Sequence, residues 1–178
     1  MRRRAWMLGS AALAAGATGA GLSWQQMRLA DDSNSDGPLG PDFWTLRFEQ
    51  PSGGELAMDS LRGGPLLLNF WATWCPPCVK EMPLLDRFHR QQRGAGWRVL
   101  GLAIDSPSPV REFLARRPVG FSIGLAGLAG TELSRTLGNA NGSLPFTVVV
   151  APDGRVMARK LGALKEADLA GWAAAVRT

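Results

Sequence analysis

Hydrophobic positions along this chain fall into short runs separated by breakers. Residues 43–48 alternate well enough for a strand, and Gly53-Gly54 turns the chain toward a second short strand over 55–58, making an N-terminal β-hairpin. Residues 65–72 are almost continuously apolar, too short for a helix and unalternating, which is the pattern of a central strand covered on both faces. A helix follows from Pro76 to about Arg93. Met82, Leu85 and Phe88 share one of its faces, and Gly94 and Gly96 supply the stop. Pro83 lies inside it and deletes a hydrogen bond to Val79, which predicts a kink.

The alternation continues with a strand over 97–105 and a helix that Ser108 caps, with Pro109 at its first position, running to about Arg117. A strand over 119–125 and a short helix over 131–137, ended by Gly138, complete a βαβ pattern of the kind that builds a parallel sheet. Leu144-Pro145 then precedes a β-branched strand over 146–150. Pro152-Asp153-Gly154-Arg155 turns the chain into a strand over 156–161, and an amphipathic helix over 165–176 closes it. No internal repeat is present. These elements predict one α/β domain with a central mixed sheet flanked by helices.

Residues 1–27 read differently. Three arginines are followed by a stretch without charge from Ala5 until Arg28, the pattern of an export signal or an N-terminal membrane anchor. Small residues around Ala15-Gly16-Ala17 and Thr18-Gly19-Ala20 suit cleavage. Trp6 and Trp24, about 27 Å apart along a helix, suit the two interfaces of a retained span over residues 5–27. Arg3-Arg4-Ala5-Trp6-Met7 also resembles a twin-arginine export signal, with Arg2 in place of the usual Ser or Thr. Each export reading leaves the arginines in the cytoplasm and puts everything after residue 30 in a periplasmic or other extracytoplasmic space. Residues 28–42, polar and rich in breakers, read as a flexible linker, and 43–178 as the folded domain.

The formal charge of +5 changes little once it is located. Four of the twenty basic residues (Arg2, Arg3, Arg4, Arg28) lie in the first thirty positions, which hold no acid. That leaves sixteen basic against fifteen acidic residues in the remainder, so no basic stripe for nucleic acid survives.

Both cysteines of the chain sit in Trp74-Cys75-Pro76-Pro77-Cys78, at the step from the apolar strand to the first long helix. A bridge closing so small a loop joins no distant parts, so the pair is read for chemistry. A thiol attacks as thiolate, and a cysteine capping a helix N-terminus is acidified by the helix dipole and by unpaired N–H groups. Pro76 and Pro77 remove two of those donors. Cys78 N–H is then the nearest donor to Cys75, and the weaker thiolate stabilisation leans the pair toward a reductant. Cys75 is the attacking thiol and Cys78, one turn on, the resolving one. Structural zinc needs four ligands and the chain has one histidine, His89, which reads as a solvent-side helix residue; covalent haem needs histidine directly after the second cysteine, where Val79 stands. No metal and no dissociable cofactor is expected beyond the redox-active Cys75–Cys78 disulfide.

The active-site motif, the apolar strand before it, the helix proline Pro83 and the Leu144-Pro145 step before a late strand together resemble the thioredoxin superfamily. More narrowly, residues 43–178 are similar to TlpA/ResA-like membrane-associated thiol-disulfide oxidoreductases. The resemblance implies a thioredoxin-like fold with an N-terminal β-hairpin and one inserted strand-helix unit between Asp105 and Pro145. It implies that Pro145 is a cis-proline against the disulfide, offering backbone pairing to an extended substrate. Trp74, Pro76, Pro77 and Leu144 would line the substrate-binding surface, with Trp74 walling the thiol from solvent and Trp71 in the core or the site wall. Glu81 would exchange a proton with Cys78; a solvated helix glutamate is the alternative. Asn69 stands where cytoplasmic thioredoxins carry a buried aspartate, so a proton relay must use Glu81 or water. The implied activity is exchange of dithiol and disulfide with oxidised envelope proteins, an apocytochrome c among them, with electrons from a DsbD- or CcdA-type transmembrane donor. A dithiol oxidase and a copper(I)-binding chaperone are the rival functions.

Overall fold

The computed structural model describes residues 37–176. The expected export segment or anchor and most of the expected linker lie outside the described residues. The chain is already in place at Pro38, which bridges Arg155, and Leu39 N–H donates to Gly154 O at 2.9 Å.

The alternating run over 43–48 does not become a strand. Pro41 starts a short helix, α1 (Pro41–Thr45), and only Arg47–Glu49 extends as β1. Proline at the first helical position needs no N–H partner there, and the helical turn buries the adjacent Phe43 and Trp44 together, which a strand would send to opposite faces. Their rings meet edge to face at 4.9 Å.

β1 pairs antiparallel with β2 (Glu55–Ala57), the expected hairpin, which a short 3₁₀ turn over Met58–Leu61 joins to the rest. Then come β3 (Leu66–Trp71), α2 (Pro76–Gln92), β4 (Arg98–Ala103), α3 (Pro107–Arg116), β5 (Ser122–Leu125), α4 (Ala129–Thr136), β6 (Phe146–Val150), β7 (Val156–Leu161) and α5 (Glu166–Ala175). The seven strands form one mixed sheet in the order β2-β1-β5-β4-β3-β6-β7. β3 runs parallel to β4 and antiparallel to β6, β4 parallel to β5, and β5 antiparallel to β1. The architecture is the expected α/β sheet, with β5 and α4 as the added strand-helix unit.

All six residues of β3 are buried, as its unbroken apolar pattern predicts for a strand with neighbours on both edges and cover on both faces. Leu67 and Trp71 point to one side, packing with Met82, Leu85 and Phe88 of α2, Phe113 of α3 and Leu169 of α5. Leu66, Leu68 and Phe70 point to the other, toward Phe43, Trp44, Met58 and Leu137. The period of two thus splits one strand between two cores.

Three boundaries move for identifiable reasons. Helix α3 starts at the first Ser-Pro pair, with Ser106 as N-cap and Pro107 at N1, so that Pro109 falls at N3, where a missing N–H still costs no intrahelical bond. β5 begins at Ser122, three residues later than expected, because Gly120 N–H is taken by Asp86 Oδ1 of α2 at 2.7 Å and is lost to the ladder. α4 begins at Ala129, where the chain leaves Gly127 (φ 53°), and ends before Gly138 (φ 106°). α2 runs unbroken through Pro83 to Gln92, with the stop at Gly96 (φ 84°). His89, expected on the solvent side, is half-buried with its ring 6.4 Å from that of Phe121.

At Gly101 of β4 an added Cβ would lie 2.8 Å from Ile123 Cδ1, 3.0 Å from Trp71 Nε1 and 3.2 Å from Phe121 Cε2. Gly101→Ala is therefore expected to destabilise the domain by about 1–3 kcal/mol through overpacking. The measurement is the urea midpoint of the oxidised protein at unchanged slope.

Candidate active site

β3 ends at its C-terminal edge in a tight turn, Cys75 N–H donating to Ala72 O at 3.3 Å, and the chain re-enters as α2. Cys75 is the N-cap, with extended backbone (φ −99°, ψ 101°), and its carbonyl accepts the first helical bond from Val79 N–H. Its sulfur is bonded to that of Cys78, the Cα atoms being 5.3 Å apart. Pro76 and Pro77 are exposed and donate nothing. The N–H that reaches Cys75 Sγ is that of Cys78, at 3.3 Å. The donor arithmetic read from the two prolines is realised in the geometry.

Pro145 follows a cis peptide bond from Leu144, as the resemblance implied, and is buried. Its carbonyl already accepts from Gly162 N–H at 2.8 Å, and proline has no N–H to offer. The free groups are one residue earlier. Among the described residues, neither the N–H nor the C=O of the half-buried Leu144 has a hydrogen-bond partner.

Trp74, expected to wall the thiol from solvent, is itself largely turned to solvent. It is 65 % exposed while Cys75 is 4 % and Cys78 0 % exposed. The indole packed inside is that of Trp71, fully buried and 5.3 Å from the Phe113 ring.

Glu81 is buried, not solvated. At i+3 from Cys78 it shares that face of α2, with Cβ atoms about 5–6 Å apart in such pairs. Its Oε1 accepts from Asn69 Nδ2 at 2.8 Å and its Oε2 from Leu164 N–H at 2.8 Å. Asn69 Nδ2 also donates to Thr147 Oγ1 at 3.1 Å. Burial pushes the Glu81 carboxyl above the usual carboxylate range, opposed by the hydrogen bonds from Leu164 and Asn69. Thr147 and Leu164 carried no signal in the sequence, since each enters only through folding, from β6 and from the loop after β7. A second carboxylate was also missed: Asp105, at the exit of β4, accepts from Thr73 N–H and Oγ1–H.

A Cys-x-x-Cys disulfide at the N-terminus of the helix after a central strand, with a cis-proline opening the neighbouring antiparallel strand, defines a thioredoxin-like thiol-disulfide oxidoreductase. The Redoxin family profile matches residues 39–175, and the chain belongs to that family, as a TlpA/ResA-like member of the thioredoxin superfamily. It is 28% identical over 137 residues to the thiol-disulfide oxidoreductase ResA of Bacillus cereus, covering 76% of this chain and 75% of that protein. Among solved structures it is similar to a thioredoxin-related protein of Neisseria meningitidis serogroup B, with TM-score 0.65, 30% identity, and 74% and 98% of the two chains covered. It also shares the fold of the MTB dsbF structure, with TM-score 0.66, 24% identity, and 78% and 99% of the two chains covered.

The Glu81 carboxyl has a folded pKa above its unfolded one, so between the two the native state holds the extra proton, and stability falls as pH rises through that window. Glu81→Gln cannot titrate and is expected to flatten this decline, although its amide can accept from only one of Leu164 N–H and Asn69 Nδ2 and so loses stability below the window. Urea unfolding of the oxidised forms at a series of pH values checks it; parallel curves for the two proteins would contradict the assignment.

Proposed function

We propose that the protein is an extracytoplasmic protein-disulfide reductase. The observation that carries this reading is that, among the described residues, one N–H, that of Cys78, reaches Cys75 Sγ. A thiolate stabilises the reduced form of a pair, and the fewer donors it meets the more reducing the pair becomes. The segment over residues 1–27, read as signal or anchor, and the similarity to ResA support the extracytoplasmic site.

In the reduced protein, Cys75 thiolate attacks one sulfur of a substrate disulfide. The substrate S–S bond breaks, a mixed disulfide forms, and the departing sulfur takes up a proton. Cys78, deprotonated, then attacks Cys75 Sγ. The second substrate sulfur leaves as a thiol, and two electrons have passed to the substrate while Cys75–Cys78 closes. Glu81 is the group that accepts the Cys78 proton, since it lies one helical turn on and is held ready by Asn69 and Leu164. The substrate runs extended past Leu144, whose free N–H and C=O pair with it in the manner of an added strand, against Trp74, Pro76, Pro77 and the ring of Pro145. Oxidised envelope proteins are the substrates, an apocytochrome c before haem attachment being one by analogy with ResA-like proteins. A DsbD- or CcdA-type transmembrane donor returns the electrons, and no cofactor beyond the disulfide takes part.

Two measurements test this. Cys78→Ala should accumulate thiol-sensitive adducts through Cys75 that mass spectrometry can identify, and Cys75→Ala should accumulate none; equal behaviour of the two variants would sink the exchange mechanism. Pro77→Ala restores an N–H at the second helical position. It should lower the pH midpoint of Cys75 alkylation and raise the reduction potential, by about 30 mV for each tenfold change in the exchange constant. A wild-type potential near the roughly −120 mV of strong oxidants would instead assign the oxidase function.

A further inference from the structure

Three consecutive residues, Thr73, Trp74 and Cys75, have opposite fates. Cys75 is buried as the cap of α2, and its N–H is returned to Ala72 O. Thr73 is pinned from the other side. Its N–H and its Oγ1–H donate to the same oxygen, Asp105 Oδ2, at 2.9 and 2.5 Å, while Asp105 Oδ1 accepts from Ser106 N–H at 2.7 Å. Asp105 is itself fixed, since it lies between the end of β4 and the N-cap of α3. With both neighbours tied inward, the side chain between them is turned out, and Trp74 stands 65 % exposed, outside both cores. A large aromatic ring held in water beside a reactive disulfide is a surface for apolar contact with a partner, of the kind that anchors protein interfaces.

We infer that Asp105 is a positioning residue for substrate recognition: by holding Thr73 it displays Trp74 to the apolar polypeptide flanking a substrate disulfide. This rests on the reductase reading above. Asp105 touches neither sulfur nor substrate, so its effect belongs to the binding of large substrates and not to thiol chemistry. Thr73 contributes two donors, of which the hydroxyl can be removed without changing the shape of the side chain.

The test is stopped-flow oxidation of the pre-reduced full chain by insulin, a protein disulfide, and by hydroxyethyl disulfide, which has no polypeptide flanking its sulfurs. Asp105→Ala is expected to raise the half-saturating insulin concentration by about fivefold or more, the scale of a lost interface anchor, and to keep the hydroxyethyl disulfide rate within about twofold. Thr73→Val should move the same way to a smaller extent, and Thr73→Ser, which keeps both donors, should behave as the wild type. In a Trp74→Ala background, Asp105→Ala should add nothing, because a residue that acts through another has no effect once that other is gone. Equal losses with both disulfides would overturn the inference, as would additive effects of Trp74→Ala and Asp105→Ala, or unchanged half-saturation in both Asp105→Ala and Thr73→Val. Failure of the wild type to reduce either disulfide would instead remove the reductase reading and this inference with it.

Discussion

The site depends on one buried carboxylate. Glu81 joins three parts of the chain that are far apart in sequence: α2, on which it sits, β3 through Asn69, and the loop before α5 through Leu164 N–H. A carboxylate taken out of water is costly unless its lone pairs are engaged, and here each oxygen has one donor. Engagement is incomplete, so burial still outweighs the hydrogen bonds and the proton is held more tightly than on an ordinary glutamate. In the proposed exchange, that carboxyl is the group that takes the proton of the thiol one helical turn away.

Around that carboxylate the sheet supplies rigidity. β3 is buried on both faces and paired along its length with β4 and β6, so the turn at its end cannot drift. Cys75 therefore sits on a fixed strand end and a helix cap, with its position set by backbone bonds. Pro76 and Pro77 start α2 well while withholding N–H donors, so the same two residues favour the helix and limit thiolate stabilisation. Among the described residues, the backbone N–H and C=O of Leu144 have no hydrogen-bond partner, which is what the proposed substrate pairing uses.

What could be read before folding was whatever depends on neighbours in sequence. The Cys75 cap, the donors removed by Pro76 and Pro77, the all-buried β3 and the Gly154 turn are local facts of period, cap and backbone stereochemistry. Local signals failed where two patterns compete: the alternation over 43–48 lost to a helix that buries Phe43 and Trp44 together, and two Ser-Pro pairs competed for one helix start.

The sequence by itself determined the class of chemistry, because a thiol pair spaced for a helix N-terminus has few uses and the rest of the chain lacks the ligands for most of them. Only the tertiary structure decided which way the side chains around it face. Trp74 is turned outward because Asp105, thirty-two positions away from Thr73, holds its neighbour. Glu81 is buried because Asn69 and Leu164 come to meet it, and the Pro145 carbonyl is engaged because Gly162 N–H reaches it. Each of these is set by a hydrogen bond between segments remote in the chain, and no local pattern of hydrophobic and polar residues encodes such a bond.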